Sequence, residues 1–124
     1  MEKDYQFEID FCRSLLGRDP GNVPVMEMLA NYYTRAGRID EGLELDLRIV
    51  ELDPDNSVNH YNLACSLALK HRQSEAIAAL RVALEQGYDD FKWLLEDPDL
   101  ENLHDNPSFS ALLSEYQADK HSSD

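Results

Sequence analysis

The residues whose types could carry chemistry are four histidines (His60, His71, His104, His121), two cysteines (Cys12, Cys65) and the acidic run Asp97-Pro98-Asp99-Leu100-Glu101. The histidines have no metal-ligand spacing, since the chain holds neither a His-Glu-x-x-His helix nor a Cys–His cluster. Asp97, Asp99 and Glu101 alternate like the opening of a calcium loop. The sixth place of such a loop, however, is Asn102 where a sharp turn needs glycine, and the twelfth is Ser108 where a bidentate glutamate is needed. A solvated turn with helix caps is the reading taken. Cys65 lies among apolar residues, which raise a thiol's pKa, so it reads as a packed residue and not a nucleophile. No Ser–His–Asp nucleophile motif and no glycine-rich phosphate loop occurs. The expectation is a protein that is not an enzyme and holds neither metal nor cofactor.

The elements that position these residues repeat. Residues 23–56 align without a gap on residues 57–90, at a period of 34. Leu29 and Ala30 fall on Leu63 and Ala64, Gly42 on Ala76, Leu43 on Ile77, and Val50 on Leu84. The preceding turn repeats as well, as Asp19-Pro20-Gly21-Asn22 and Asp53-Pro54-Asp55-Asn56. Two helical patterns per 34-residue unit imply a stacked helical repeat.

Within residues 4–18, Tyr5, Ile9, Cys12, Leu15 and Leu16 fall on one helical face. Copy one then gives a helix over 23–36, ended by Gly37, and a second over 39–52. Copy two gives helices over 57–70 and 73–86. Ala30, Gly42, Ala64, Ala76 and Ala83 stand where antiparallel helices must cross closely. A short aromatic helix follows over 88–97, and the segment from Pro98 to Pro107 is too short for a full helix. Asn106-Pro107 starts a last helix whose buried face is Phe109, Leu112, Leu113 and Tyr116. One domain over 1–120 is expected: a leading half-repeat (4–18), two repeats, a degenerate capping repeat over 91–118, and a frayed tail over 119–124.

The formal net charge of −14 repels nucleic acid and anionic membrane surfaces and suits a basic peptide or protein face. No stretch approaches a membrane span, the first residues are acidic and lack an apolar run, and two separated cysteines fit a reducing compartment. The cytoplasm is the expected location.

The two copies resemble the tetratricopeptide repeat. Its signature positions hold Met26, Leu29, Ala30, Tyr33, Gly42, Asp46, Ile49 and Pro54 in copy one. In copy two they hold His60, Leu63, Ala64, Leu67, Ala76, Leu80, Ala83 and Tyr88. Asp46 departs from the large apolar residue the family prefers, Ile49 from an Ala, and Tyr88 from a Pro. The segment GYDDFKWLLEDPDLENLHDNPSFSALL is similar to the degenerate repeat that closes many such arrays. The resemblance implies an all-α fold of antiparallel helix pairs in a right-handed superhelix, about seven helices in all. It also implies that the first helices of successive repeats line a concave groove that takes a peptide or helix from a partner protein.

The groove positions so implied are Pro24, Glu27, Asn31, Thr34 and Arg35 in copy one, and Val58, Tyr61, Asn62, Cys65, Ala68 and Leu69 in copy two, with Lys92 in the third. Asn31 and Asn62 sit where a chaperone-binding subclass places its clamp asparagines. Glu27, though, stands where that subclass needs a lysine, and would repel a carboxylate. Tyr61, Val58, Ala68 and Leu69 either form an apolar patch facing a partner or lie under the third repeat. Leu45 and Leu47 fall on the convex surface in the family register. They either mark a self-association face, giving a homodimer, or belong to a helix rotated to bury them and expose Asp46. The function expected is an adaptor that captures a basic or apolar peptide. The alternative is a self-associating structural subunit without a peptide ligand.

Overall fold

Several of the helices begin where the sequence supplies a side-chain acceptor for free backbone N–H groups. The Asn22 side chain accepts from Val25 N at 3.1 Å, and Asn56 from Val58 N at 3.1 Å, each one residue before a helix. Asn106 accepts from Ser108 N at 2.9 Å, with Pro107 at the first helical position. The computed structural model describes residues 3–122. Its elements are α1 (Gln6–Arg18), α2 (Val23–Arg35), α3 (Ile39–Leu52), α4 (Ser57–Leu69), α5 (Gln73–Glu85), α6 (Phe91–Glu96), a 3-10 turn (Pro98–Leu103) and α7 (Pro107–Ser122). Among the described residues there is no strand. Helix α7 continues through 119–122, where the sequence suggests a frayed tail, and residues 123 and 124 lie outside the described residues.

The 34-residue period is also a period of the hydrogen bonding. Asn22 N donates to Asp19 O, and Asn56 N to Asp53 O. Arg38 N donates to Tyr33 O at 2.8 Å, and Arg72 N to Leu67 O at 3.0 Å. Each second helix then opens on a paired arginine and glutamate, Arg38 with Glu41 and Arg72 with Glu75, three residues apart. The chain turns between helices of a pair at a left-handed residue. In the first turn this is Gly37 at φ 81°. In the second it is His71 at φ 60°, a conformation that costs a residue carrying a Cβ.

Helix α2 packs against α3, α4 against α5, and α3 joins the two pairs by lying against α4. The packed pairs are consistent with a helical repeat. Ala30, Gly42, Ala64, Ala76 and Ala83 are all buried or nearly so. At Gly42 the approach leaves no room for a side chain: a Cβ there would meet Thr34 Oγ1 at 2.8 Å and the Ala30 carbonyl oxygen at 3.3 Å. Helix α1 packs on α2 through Ile9 and Cys12, as the periodicity predicts. The core of the second pair runs on through Leu94, Leu100 and Leu103 to Phe109, Leu112 and Leu113.

On α3, Asp46 points inward with Gly42, Leu43 and Ile49. The helix is therefore not rotated to expose it. Leu45 is half-buried against residues of α1 and α2, and Leu47 remains 43% exposed. Leu47 is thus exposed and Leu45 only in part.

Candidate binding groove

Residues of α2, α3 and α4 together wall a cavity of about 230 Å³. Helix α2 contributes Glu27, Asn31 and Thr34, α3 supplies Asp46 and Ile49, and α4 supplies Asn59, Asn62 and Ser66. The closing segment completes the wall with Trp93, Asp97 and Asp99. Of the groove residues named from the sequence, Glu27, Asn31, Thr34, Tyr61, Asn62 and Cys65 come together here. Val58 lies in a neighbouring depression with Tyr88, Asp90 and Trp93, which Tyr61 and Asn62 also border. Arg35 and Lys92 are exposed and Leu69 half-buried, and none of the three lines either hollow.

Of the two readings of the apolar residues on α4, burial under the closing segment holds for Tyr61 and Ala68, while Val58 is exposed. Tyr61 is only 4% exposed, and Cys65 and Ala68 are buried too. The closing segment covers them, and its grip is polar. The Tyr61 hydroxyl donates to Asp97 Oδ2 at 2.6 Å, and its ring stacks on Tyr88 with centroids 4.3 Å apart. Cys65 Sγ donates to the same oxygen at 3.6 Å, and Asp97 Oδ1 accepts from Asp99 N at 2.9 Å. Asn102 Nδ2 donates to the Ala68 carbonyl at 2.7 Å, and Gln73 Nε2 to the Asn102 carbonyl at 2.8 Å. Asp97 is thus both the cap of the 3-10 turn and the buried anchor that ties it to α4. The capping role is local and visible in Asp97-Pro98. The tie to Tyr61 spans 36 residues and has no local signal.

Cys65, Asp97 and Asp99 bring potential ligand atoms within 4.8 Å of one another. Both Asp97 oxygens are already engaged by O–H, S–H and N–H donors, and burial pushes the Cys65 thiol up, with Asp97 adding to the effect. The trio therefore acts as a strap.

Electrostatically the cavity is one-sided. Asp46 is 6% exposed and accepts from Ser66 Oγ at 2.5 Å. Burial pushes its carboxyl up to about 6, with the Ser66 bond opposing. Glu27 is raised by burial and then by Asp53, and Asp99 by burial and then by Asp97. No lysine or arginine lines the cavity. Asp46 is the site residue that sequence reasoning noticed only as a departure. A charge at a position that favours a large apolar side chain was the available signal.

His60 is half-exposed, and its Nε2 lies 2.7 Å from the Pro54 carbonyl oxygen, latching the turn before α4. No helix among the described residues is long and apolar enough to cross a membrane.

No protein-family model matches the chain. It is similar to a chloroplastic protein of Arabidopsis thaliana, at 33% identity over 87 residues. That alignment takes in 68% of this chain and 26% of the relative, so the chain spans about a quarter of the length of the curated protein it matches.

Proposed function

We propose that this chain is a tetratricopeptide-type interaction module that captures an extended segment of a partner protein in the groove between α2 and α4. The observation that carries the reading is the cavity walled by Glu27, Asp46, Asp97 and Asp99, with no lysine or arginine among its lining residues. Such a wall favours a basic segment and disfavours an acidic one. Asn31 and Asn62, exposed on adjacent helices at its rim, can hydrogen-bond the backbone of a bound peptide. Tyr61 does not contact the ligand in this reading; it holds the closing segment against α4. Two free buried thiols suit a reducing compartment, for which we propose the cytoplasm.

Panning a random peptide library against the domain tests this. Enriched peptides should be basic, should weaken as salt rises, and should lose affinity for an Asn31→Ala, Asn62→Ala double variant. Peptides that bind wild type and double variant alike would place the working surface elsewhere.

A second reading, self-association, is favoured by one observation. Phe7 and Phe11, one helical turn apart on α1, are 79% and 55% exposed, and Leu47 is exposed on α3. Sedimentation at micromolar concentration decides it. A wild-type dimer that Leu47→Glu or Phe11→Glu converts to monomer supports this reading, and a wild-type monomer removes it.

A further inference from the structure

We infer that the phenylalanine face of α1 is a two-fold interface, occupied by the same face of a second copy of this chain with the two α1 helices antiparallel. This rests on the self-association reading above and fixes the contact on α1, apart from Leu47.

The first support is a departure from the repeat register. A shift of 34 residues lays α1 on α3, and a second shift lays it on α5. Ile9 then falls on Leu43 and Ile77, and all three are buried. Phe7 falls on Glu41 and Glu75, which pair with Arg38 and Arg72. Phe11 falls on Leu45, half-buried against α1 and α2, and on Ala79, which is buried. Helix α1 thus carries a phenylalanine where its counterparts carry an ion-paired glutamate, and a second one without the cover its counterparts have. The two are 79% and 55% exposed and lie one turn apart, while Ile9 and Cys12 meet α2. The terminal unit of a helical array ordinarily presents a polar outer face.

The second support excludes other occupants. A preceding helix of the same repeat would cross α1 at the position of Gly42 and Ala76, and at Gly42 that crossing has no room for a side chain. The same position in α1 is Glu8, which is ion-paired with Lys3. A close crossing there would bury the charges. At the other end of the array, α7 exposes Ser110, Ser114 and Glu115. Stacking copies head to tail would therefore set the phenylalanines on a polar face. A self-complementary contact between two α1 faces avoids both faults and closes after two copies.

The third support is charge, which also sets the direction. The acids of α1, Glu8 and Asp10, lie in its first half, and the bases, Arg13 and Arg18, in its second. Antiparallel helices bring each half against its complement, and parallel helices bring like against like. Phe7, Phe11, Ser14 and Arg18 recur at spacings of four, three and four, the pattern of a seam between two helices. Pairing antiparallel about the middle of that seam sets Phe11 over the partner's Ser14, large against small. It also sets Phe7 against the partner's Arg18, a ring under a guanidinium. Parallel pairing would instead stack Arg18 on the partner's Arg18.

One face of a 13-residue helix per copy makes a small interface, so the dissociation constant should be about 10 µM. Sedimentation velocity on the full chain, from about 1 to about 200 µM at about 0.15 M ionic strength to screen the like net charges, tests this. The wild type should pass from monomer to dimer across the range. Phe7→Glu and Phe11→Glu should each weaken the dimer at least about tenfold, with circular dichroism unchanged because both side chains are exposed. Leu47→Glu, the same charge change on another helix, should leave it intact. Arg18→Gln should weaken it about threefold, whereas parallel pairing would make this variant tighter. A dimer that withstands both phenylalanine variants but is broken by Leu47→Glu overturns the inference and leaves self-association standing. A dimer that withstands all three, or one that Arg18→Gln tightens, overturns the inference as well. A wild type that stays monomeric to about 200 µM removes self-association itself, and the α1 interface with it.

Discussion

Replacing Asp46 by asparagine should stabilise the protein at neutral pH, although it alters a buried hydrogen-bonded residue. The carboxyl moves from 3.8 in the reference state to about 6 in the fold, chiefly through burial. Between those values the folded chain holds a proton that the unfolded chain has released. Stability is therefore greatest below about pH 4, falls as pH rises through the window, and levels off above about pH 6. The size of the loss is about 3 kcal/mol, from roughly 1.4 kcal/mol per unit of pKa. Asparagine has the shape of the protonated acid, still accepts from Ser66 Oγ, and cannot ionise. The variant and wild type should thus be nearly equal in stability at about pH 4, with the variant ahead by about 3 kcal/mol at about pH 8. That gap corresponds to a melting shift on the order of 10 °C for a domain of this size. Urea unfolding followed by circular dichroism at several pH values and fixed ionic strength measures it, and subtracting the two curves cancels the other carboxylates. A gap independent of pH, or a less stable variant at about pH 8, would refute the reasoning.

Other outcomes follow from single contacts. His71→Gly should stabilise by about 1 kcal/mol in chemical denaturation, because His71 holds φ 60° where copy one has Gly37. Tyr61→Phe removes the short donor to the buried Asp97 and should cost about 1–3 kcal/mol. Hydrogen exchange should then quicken over residues 91–103, and the loss should shrink in an Asp97→Asn background. Cys65 should react with iodoacetamide far more slowly than a free thiol at mildly alkaline pH and become reactive in urea, since it is buried and its pKa is raised.

How much of the architecture can be read in advance differs by region. The helix starts at Asn22, Asn56 and Asn106 are legible because a cap is a contact over two or three residues. The 3-10 turn shows in the sequence only as a segment too short for a helix. Its conformation depends on Leu100 and Leu103 finding the core of the second helix pair. In the groove, the repeat register fixes the face on which each residue emerges, and Glu27, Asn31, Thr34 and Asn62, which share that face, line one cavity. Tyr61, Cys65 and Ala68 share a face of α4 as well, but the pattern does not say whether solvent or the closing segment meets them. Two packed helices present the same face in both cases.

The sequence by itself determined the period, the helix pairs, the close crossings at Ala30, Gly42, Ala64 and Ala76, and the acidic character of the whole. Each of these follows from local preference or from a pattern that repeats every 34 residues. Only the tertiary structure decided that Asp46 points inward, that Asp97 is a buried anchor for Tyr61, and that carboxylates from α2, α3 and the closing segment share one cavity. Those facts depend on which turns of different helices come level with one another. That alignment is set by side-chain interdigitation and burial across contacts 20 to 36 residues apart.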